Sequence, residues 1–248
     1  MSSDTQGCCV WVVGASGGIG AAVVSRFLQE PDAMVVAISA QAPTVAAGGG
    51  PAGLLRVHCD YTQESIERTA TELFSQDLLP DYVVLAGGLL HDGAHIAPER
   101  QLEQLHSEAM HAVFDANVVV PSLWLRALAK PLRNSKRCII AALSARVGSI
   151  SDNNLGGWYS YRSSKAGLNM VLRSAAVELK RRAKGVKLIA FHPGTTDTAL
   201  SKPFQRNVAA EKLFSPDYVA DSLVGIMRSA TVDGELSFLD YAGKQIPW

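Results

Sequence analysis

Apolar residues in this chain alternate between short continuous runs and longer segments with helical spacing. The runs predict strands that are buried on both faces. They lie at 8–13, 34–39, 54–58, 81–86, 138–143, 186–191 and 235–239. The helical segments lie at 22–28, 65–74, 101–130, 158–184 and 215–227. Regular alternation of strand and helix predicts an α/β fold with a doubly wound, mostly parallel, seven-stranded sheet and helices on both faces, as a single domain over residues 1–248.

Four glycines follow the first apolar run, within residues 14–20. Glycine lets the backbone approach a pyrophosphate, and the start of the following helix supplies N–H groups and a partial positive charge. The segment therefore favours a dinucleotide-binding Rossmann fold over its alternative, an ordinary tight turn between strand and helix. The residues of this turn that we expect to contact the cofactor are Gly14, Ser16, Gly18, Ile19 and Gly20.

The end of the second strand bears on the choice of cofactor. Dinucleotide folds often place an Asp or Glu here, on the ribose hydroxyls that NAD exposes. This chain has Ser39, with no acid and no Arg or Lys in the residues that follow. Because an acidic side chain would repel a 2′-phosphate, its absence favours NADP(H) over NAD(H), with Ser39 as a phosphate ligand. The Ala-, Gly- and Pro-rich segment 40–53 predicts a mobile surface loop.

Composition excludes several classes of protein. The hydrophobic content of 48% and charged content of 19% predict a sizeable core, and the zero net charge argues against nucleic-acid binding. The four cysteines lack metal-ligand spacing and fit free thiols in a reducing compartment. With no secretory signal and no membrane-spanning apolar run, we expect a cytoplasmic protein. His91 and His95 share a Gly-containing loop, which favours a solvated loop over a metal site.

Residues 155–172 contain the candidate chemistry. Tyr161 and Lys165 are four apart in a helical segment, so they are neighbours on its surface. A nearby ammonium lowers the pKa of a phenol, which would make Tyr161 a general acid or base near neutral pH. Such a pair also arises by chance. Ser144 follows the fifth strand on the cleft side, and Asn117 is a polar residue among apolar ones, as either a structural cap or a cleft group.

Taken in order, these features resemble the classical short-chain dehydrogenase/reductase family along nearly the whole chain. The matching pieces are Gly14-x-x-x-Gly18-x-Gly20, Asp60, Ala86-Gly87, Asn117, Ser144, Tyr161-x-x-x-Lys165 and Pro193-Gly194-x-x-x-Thr198. Segments 161–169 and 238–248 resemble the C-factor-like branch. The resemblance implies an NAD(P)-dependent oxidoreductase that transfers a hydride between nicotinamide and a carbonyl or secondary alcohol of a small, partly hydrophobic substrate.

The resemblance also implies a role for each matching residue. Tyr161 would exchange a proton with the substrate oxygen, and Lys165 would lower its pKa and hold the nicotinamide ribose. Ser144 would hydrogen-bond the substrate carbonyl, and Asn117 would anchor a proton-relay water. Asp60 would meet the adenine. The further expected cofactor contacts are Ser39, Tyr61, Ala86, Gly87, Pro193, Gly194, Thr196 and Thr198, with the two threonines at the carboxamide and phosphate side.

The chain departs from the family pattern at several positions. Val13 stands where a Thr is usual, and Leu85 where an Asn is expected. The loop between Ser144 and Tyr161 is longer than usual, which leaves Ser149 and Ser151 as rival carbonyl donors. The apolar candidates for the substrate cleft are Leu89, Val147, Leu155, Trp158 and Tyr159, and segment 199–212 is a candidate lid.

Two other functions remain open beside the oxidoreductase. One is a cofactor-binding regulatory or signalling protein of the same fold with little turnover, which the intact Ser144, Asn117, Tyr161 and Lys165 set disfavours. The other is a nucleotide-sugar epimerase, since 14–20 also fits its glycine pattern, although such enzymes usually carry a longer C-terminal region. The family further implies a homodimer or homotetramer packed through the helices 101–130 and 158–184.

Overall fold

The computed structural model describes residues 7–41 and 51–248, so most of the predicted loop 40–53 lies outside the described residues. The strands are β1 Cys9–Val13, β2 Met34–Ser39, β3 Leu54–His58, β4 Tyr82–Leu85, β5 Cys138–Leu143, β6 Val186–His192, β7 Thr195–Thr196, β8 Leu213–Phe214 and β9 Leu236–Asp240. The α-helices are α1 Gly18–Phe27, α2 Gln63–Ser75, α3 Ser107–Phe114, α4 Val120–Ala129, α5 Tyr159–Arg182 and α6 Pro216–Ser229.

The main sheet has seven strands in the order β3-β2-β1-β4-β5-β6-β9. Each neighbouring pair runs parallel, which confirms the predicted doubly wound sheet. The chain moves outward from β1 to β3 and then returns to place β4 on the other side of β1. Ligands of such sheets bind where the strand order reverses, outside the carboxyl ends of the strands. The fold therefore directs attention to the ends of β1 and β4.

Two apolar cores cover the two faces of this sheet. On one face Trp11, Ile140 and Leu172 belong to a cluster built with α2, α4 and α5. On the other, Phe27 and Leu223 belong to a cluster built with α1 and α6. Burial on both faces explains why the strands read as continuous apolar runs and not as alternating ones.

The long helix predicted over 101–130 differs from the structure. A 3₁₀ turn at Leu102–Gln104 comes first, and the helix proper begins only at Ser107. A π-helical turn, Asp115–Val119, joins α3 to α4. Pro121 has no N–H to give to the carbonyl of Asn117 four residues earlier, which fits a locally widened helix. The irregular part of this helix before Pro121 is thus a π turn that contains Asn117.

By length and composition, Ser107–Ala129 is the one helix within residues 7–41 and 51–248 that could cross a membrane. Its Val113, Trp124 and Leu128 are buried in this structure. Trp124 and Leu128 belong to the core cluster on the α5 side of the sheet. Packing against the sheet therefore accounts for part of the apolar composition of this helix, in which 33% of the most apolar window is buried.

Candidate active site

A cleft of about 410 Å³ opens at the carboxyl ends of the central strands. Most of the residues expected to bind the cofactor or act in catalysis line it. These are Gly14, Ser16, Gly18, Ile19, Gly20, Tyr61, Ala86, Gly87, Ser144, Tyr161, Lys165, Pro193 and Thr198. Five expected site residues are not among its lining: Ser39, Asp60, Asn117, Gly194 and Thr196.

The backbone around the glycine turn fits a dinucleotide. Gly14 has a φ of +83°, which side-chain-bearing residues rarely adopt. At the start of α1, a Cβ on Gly18 would lie 2.6 Å from Cγ2 of Thr198, so a side chain here would fill the cradle. Across the cleft, a Cβ on Gly87 would meet no atom within 4 Å, which leaves room beside β4. The N–H groups at the start of α1 suit a pyrophosphate in this space.

Lys165 is almost completely buried, with 2% of its surface exposed. Its Nζ donates a hydrogen bond of 2.8 Å to the carbonyl oxygen of Leu143 and lies 5.5 Å from the ring centroid of Tyr161. Burial disfavours the charged form and lowers the pKa of Lys165 to about 8. The ammonium is therefore held under the phenol by a strand-end carbonyl.

Tyr161 does not have the lowered pKa expected from its spacing to Lys165. Burial raises the pKa of Tyr161 above its ordinary value. The physical reason is that Nζ of Lys165 is bonded to Leu143 instead of the phenol, so desolvation dominates. Tyr161 consequently holds its proton at neutral pH, as a general acid requires.

Asn117 is fully buried and its amide is satisfied by protein groups. Its Nδ2 donates to the carbonyl of Leu89 at 2.8 Å and to Oγ of Ser164 at 3.0 Å. Its Oδ1 accepts from the N–H of Leu89 at 2.7 Å. The side chain thus fastens the segment after β4 to α5, beside Lys165. These contacts support the structural interpretation of Asn117, and its role with a relay water stays a prediction.

Ser144 is buried, and its hydroxyl donates to Oδ1 of Asn169 at 2.6 Å. A donor bond to a substrate carbonyl requires this hydroxyl to turn away from Asn169. The two alternative serines make other hydrogen bonds. Oγ of Ser149 accepts from the N–H of Asp152, and Oγ of Ser151 donates to the carbonyl of Trp248. Only Ser144 of the three serines lines the cleft, so it remains the candidate.

Asp60 and Tyr61, just after β3, make local hydrogen bonds. The carboxylate of Asp60 accepts from the N–H and hydroxyl of Thr62, which lowers the pKa of Asp60. Tyr61, with a φ of +66°, places its hydroxyl between the N–H of Gly14 and the carbonyl of Ile38. Asp60 and Tyr61 both line a neighbouring cavity of about 510 Å³. Tyr61 also lines the 410 Å³ cleft, so its ring stands between the two spaces.

The sequence interpretation missed a basic residue near Ser39. A recess of about 270 Å³ is lined by Ser16, Ser39, Gln41 and Arg56. Arg56 comes from β3, where it is paired in register with Ala37 of β2. The residues that directly follow Ser39 in sequence contain no Arg or Lys, but the neighbouring strand β3 brings Arg56 into the same recess. Strand pairing was the signal that could have found Arg56.

Glu99 was also missed, although it is buried. Its carboxylate accepts from the N–H of Ser160 at 3.1 Å and from the Ser160 hydroxyl. Its backbone carbonyl accepts from the N–H of Trp158. Trp158, the residue before α5, has a φ of +53° and makes no side-chain cap. Glu99 therefore supplies the missing N-terminal cap of the helix that carries Tyr161. The absence of a capping residue before α5 was the available signal.

Only some of the residues expected around the substrate cleft lie where the sequence predicts. The ring of Trp158 lies 6.2 Å from that of Tyr161 and 5.1 Å from that of Phe204, between centroids. Leu155 is 91% exposed, so its predicted place around the cleft is wrong. The candidate lid 199–212 forms 3₁₀ turns at Lys202–Asn207 and Ala210–Lys212. Whether this segment moves stays a prediction. No group of three or more potential metal ligands occurs in residues 7–41 and 51–248.

The amino-acid sequence also matches a known protein family. Residues 8–209 match the family model described as short chain dehydrogenase. The C-signal of Myxococcus xanthus is 31% identical over 139 residues, which cover 56% of this chain and 78% of that protein. The 1-hydroxy-2-glutathionyl-2-methyl-3-butene dehydrogenase of Rhodococcus sp. (strain AD45) is 27% identical over 243 residues, which cover 96% and 99%.

A solved structure gives the same fold. The NADPH-bound carbonyl reductase from chicken fatty liver superposes with a TM-score of 0.82 at 21% identity, covering 98% of this chain and 100% of that one. The match of the family model over most of the chain decides the assignment, and the likeness to C-signal agrees with the resemblance to C-factor-like proteins. The chain belongs to the short-chain dehydrogenase family and is an oxidoreductase.

Proposed function

We propose that this oxidoreductase uses NADP(H) to interconvert a carbonyl and a secondary alcohol of a small, partly hydrophobic molecule, with Tyr161 as proton donor and acceptor. The observation that carries the proposal is the position of Tyr161 and Lys165. Both line the same cleft as the glycine turn at the start of α1. A proton donor beside a dinucleotide cradle is what reduction of a carbonyl requires.

The residues of this chain act on the proton and on the developing charge. When bound, the nicotinamide supplies the hydride to the carbonyl carbon, or accepts it in the reverse direction. Tyr161, protonated because of burial, gives its proton to the carbonyl oxygen. Lys165, with a pKa of about 8, is mostly an ammonium at pH 7 and stabilises the phenolate that remains. Ser144 hydrogen-bonds the carbonyl, and Asn117 fixes α5 and anchors the relay water.

The same proposal assigns the cofactor contacts. The glycine turn, with Ser16 and Ile19, holds the pyrophosphate at the start of α1. Ala86 and Gly87 border the adenosine half, with Asp60 and Tyr61 at the adenine. Pro193, Gly194, Thr196 and Thr198 border the nicotinamide half. The 2.6 Å between the Cβ position of Gly18 and Thr198 supports this, because it joins the pyrophosphate turn to the segment after β6.

Preference for NADP(H) is supported by the recess beside Ser39. Arg56 supplies a cation there, and Ser16 and Ser39 supply hydroxyls. Ser16 lines both the recess and the cofactor cleft, so the two spaces adjoin. A guanidinium and hydroxyls are a suitable set of donors for a 2′-phosphate. The chicken carbonyl reductase of the same fold binds NADPH.

Replacing the recess cation tests this preference. We expect Arg56→Gln to weaken NADPH binding by roughly tenfold, the value of one charge-assisted hydrogen bond, and to leave NADH binding unchanged. Quenching of tryptophan fluorescence measures both dissociation constants. Arg181→Gln, which removes a cation at the far end of α5, serves as the control. Equal weakening of both cofactors would contradict a phosphate-specific role.

The proposed reaction is tested by following the absorbance of the reduced nicotinamide. This absorbance falls when NADPH reduces a ketone of the test panel, and it rises when NADP⁺ oxidises the matching alcohol. Consumption of NADPH by at least one ketone is expected. Tight cofactor binding with no turnover in either direction would favour the regulatory alternative, for which the likeness to C-signal is the supporting observation.

We also propose that the enzyme is a cytoplasmic homodimer or homotetramer that packs through α3, α4 and α5. Val119, Met170 and Val177 are large apolar side chains exposed on this part of the surface. Met170 and Val177 are seven residues apart on α5, so they lie on one face. Free cysteines in the described part of the chain support a reducing compartment.

A further inference from the structure

A second cavity of about 720 Å³ is lined in part by Trp158, whose ring lies 6.2 Å from that of Tyr161. It shares no lining residue with the cofactor cleft. Its walls come from three separate segments: 91–109 after β4, Trp158 before α5, and the 3₁₀ turn that holds Pro203 and Phe204. We call this space the aromatic chamber, defined by His91, Trp158 and Phe204.

The rings of the aromatic chamber form a continuous line that starts at Tyr161. The centroid of Trp158 lies 6.2 Å from that of Tyr161 and 5.1 Å from that of Phe204. The centroid of Phe204 lies 5.6 Å from that of His91. These distances are those of interacting aromatic pairs. Neighbouring rings are tilted by 59–74° to one another, so a planar group in the chamber would contact ring edges as well as ring faces.

The backbone holds this wall in place. The N–H of Trp158 donates to the carbonyl of Glu99. Nε2 of His91 lies 3.1 Å from the carbonyl oxygen of Leu200. Because a carbonyl oxygen only accepts, Nε2 is the protonated nitrogen, and the imidazole is oriented by the segment that also carries Phe204. The chamber is thus preorganised by contacts between the three segments.

The charged groups around the chamber are engaged or exposed. The carboxylate of Glu99 accepts two hydrogen bonds from Ser160. His95 faces solvent and lies 4.0 Å from Asp92, and Arg100 is exposed. Trp158 and Phe204, which line the chamber, are half-buried and uncharged. The aromatic part of the lining therefore suits a neutral ring.

We propose that the aromatic chamber binds an aryl group, so that the preferred substrates are neutral ketones with an aromatic ring on one side of the carbonyl. This rests on the proposed function. In the reduction, the hydride of NADPH forms the new C–H bond and the proton of Tyr161 forms the new O–H bond as the carbonyl π bond breaks. The products are the aryl secondary alcohol and NADP⁺, and solvent returns the proton to Tyr161.

The test compares two ketones of matched size, phenyl methyl ketone and cyclohexyl methyl ketone, with saturating NADPH. The quantity measured is the ratio of their kcat/KM values, in the wild type, Phe204→Leu and Phe204→Tyr. We expect Phe204→Leu to lower the aryl-to-cyclohexyl ratio about threefold to tenfold, the value of one aromatic pair. Phe204→Tyr keeps the ring and should keep the ratio, and Leu155→Ala on the exposed loop is the matched control. Calorimetry with NADP⁺ and the phenyl alcohol should show the same loss of binding in Phe204→Leu.

The outcomes separate the two proposals. Reduction of both ketones with an unchanged ratio in Phe204→Leu would overturn the aryl chamber and leave the oxidoreductase mechanism standing. Reduction of neither ketone, together with failure of every other ketone and alcohol, would overturn the proposed function itself. Phe204 is only partly buried, so all variants should fold, and their thermal unfolding midpoints check this.

Discussion

At the scale of one residue, Lys165 shows that a buried charge in the site lowers the stability of the fold. Its ammonium is buried against Leu143, and its pKa falls to about 8. The unfolded chain therefore binds more protons than the folded chain between about pH 8 and the ordinary lysine value of 10.5. Stability contributed by this group rises with pH across that window, so at neutral pH the buried charge reduces the free energy of unfolding.

Removing the buried charge of Lys165 should increase the stability of the fold at neutral pH. We expect Lys165→Met to raise the free energy of unfolding at pH 7 by about 1–3 kcal/mol, because an apolar side chain replaces a desolvated ammonium. The gain should shrink at pH 10, where Lys165 of the folded wild type is already neutral. Urea unfolding at both pH values measures it, with the exposed Lys184→Met as control. An equal loss of stability at both pH values would contradict the account.

Tyr161 carries the proton in the proposed reaction. We expect Tyr161→Phe to lower kcat by about 10²- to 10⁴-fold, the usual value of general acid catalysis. The dissociation constant of NADPH should stay nearly unchanged, because the ring remains in place. Steady-state kinetics and fluorescence titration measure the two quantities, and Tyr218→Phe on the exposed side of α6 is the matched control. Near-normal turnover in Tyr161→Phe would show that another group gives the proton.

At the scale of the element, α5 matters most because Tyr161 and Lys165 lie in its first two turns. No side chain next to it in sequence caps its start, and the carboxylate of Glu99 does so from a distant segment. The cap lies beside Tyr161, so it orients the catalytic turn. The π turn at Asn117 supports the same helix from the other side through Ser164.

Weakening this cap should destabilise the protein. We expect Glu99→Gln and Ser160→Ala each to lower the free energy of unfolding by about 1–2 kcal/mol, since each removes part of one buried hydrogen-bond pair. The double variant should lose less than the sum, because the two residues act together. Thermal and urea unfolding measure this. Strict additivity would show that Glu99 and Ser160 act independently.

The same elements show what could be predicted from the sequence. Local apolar patterns predicted each strand of the main sheet, because a strand that is buried on both faces consists of consecutive apolar residues. They misplaced the start of the helix at Ser107, since Leu102 and Leu105 are apolar but exposed. Most residues matched by motif, such as Tyr161, line the cleft, whereas Asp60, Asn117 and Gly194 do not. The recess that Arg56 shares with Ser39 depends on the pairing of β2 with β3, which leaves no local signal in the sequence.

At the scale of the whole molecule, the reversal of strand order places the glycine turn and the ends of β4, β5 and β6 around one cleft. The same architecture leaves one face of α5 exposed. Met170 has 66% of its surface exposed and Val177, seven residues later on the same face, has 45%, so the two form an exposed apolar patch. A second copy of the chain covering this face would account for it.

Charge placed on that face should separate the subunits. We expect Met170→Glu combined with Val177→Glu to yield monomers, because burying two carboxylates at an apolar interface is unfavourable. Sedimentation velocity measures the assembly state. Thr71→Glu on the exposed side of α2 is the control for added charge. An unchanged oligomer in the double variant would place the interface elsewhere.

The reaction we propose for this chain moves a hydride between nicotinamide and a carbonyl carbon, with the proton supplied by Tyr161. The most direct measurement uses NADPH that carries deuterium at its transferable position, with aryl and alkyl ketones, and analyses the alcohols by mass spectrometry. The account predicts a single deuterium on the carbinol carbon with the wild type, and almost no product with Tyr161→Phe. Alcohol without deuterium, or no alcohol from any ketone, would contradict it.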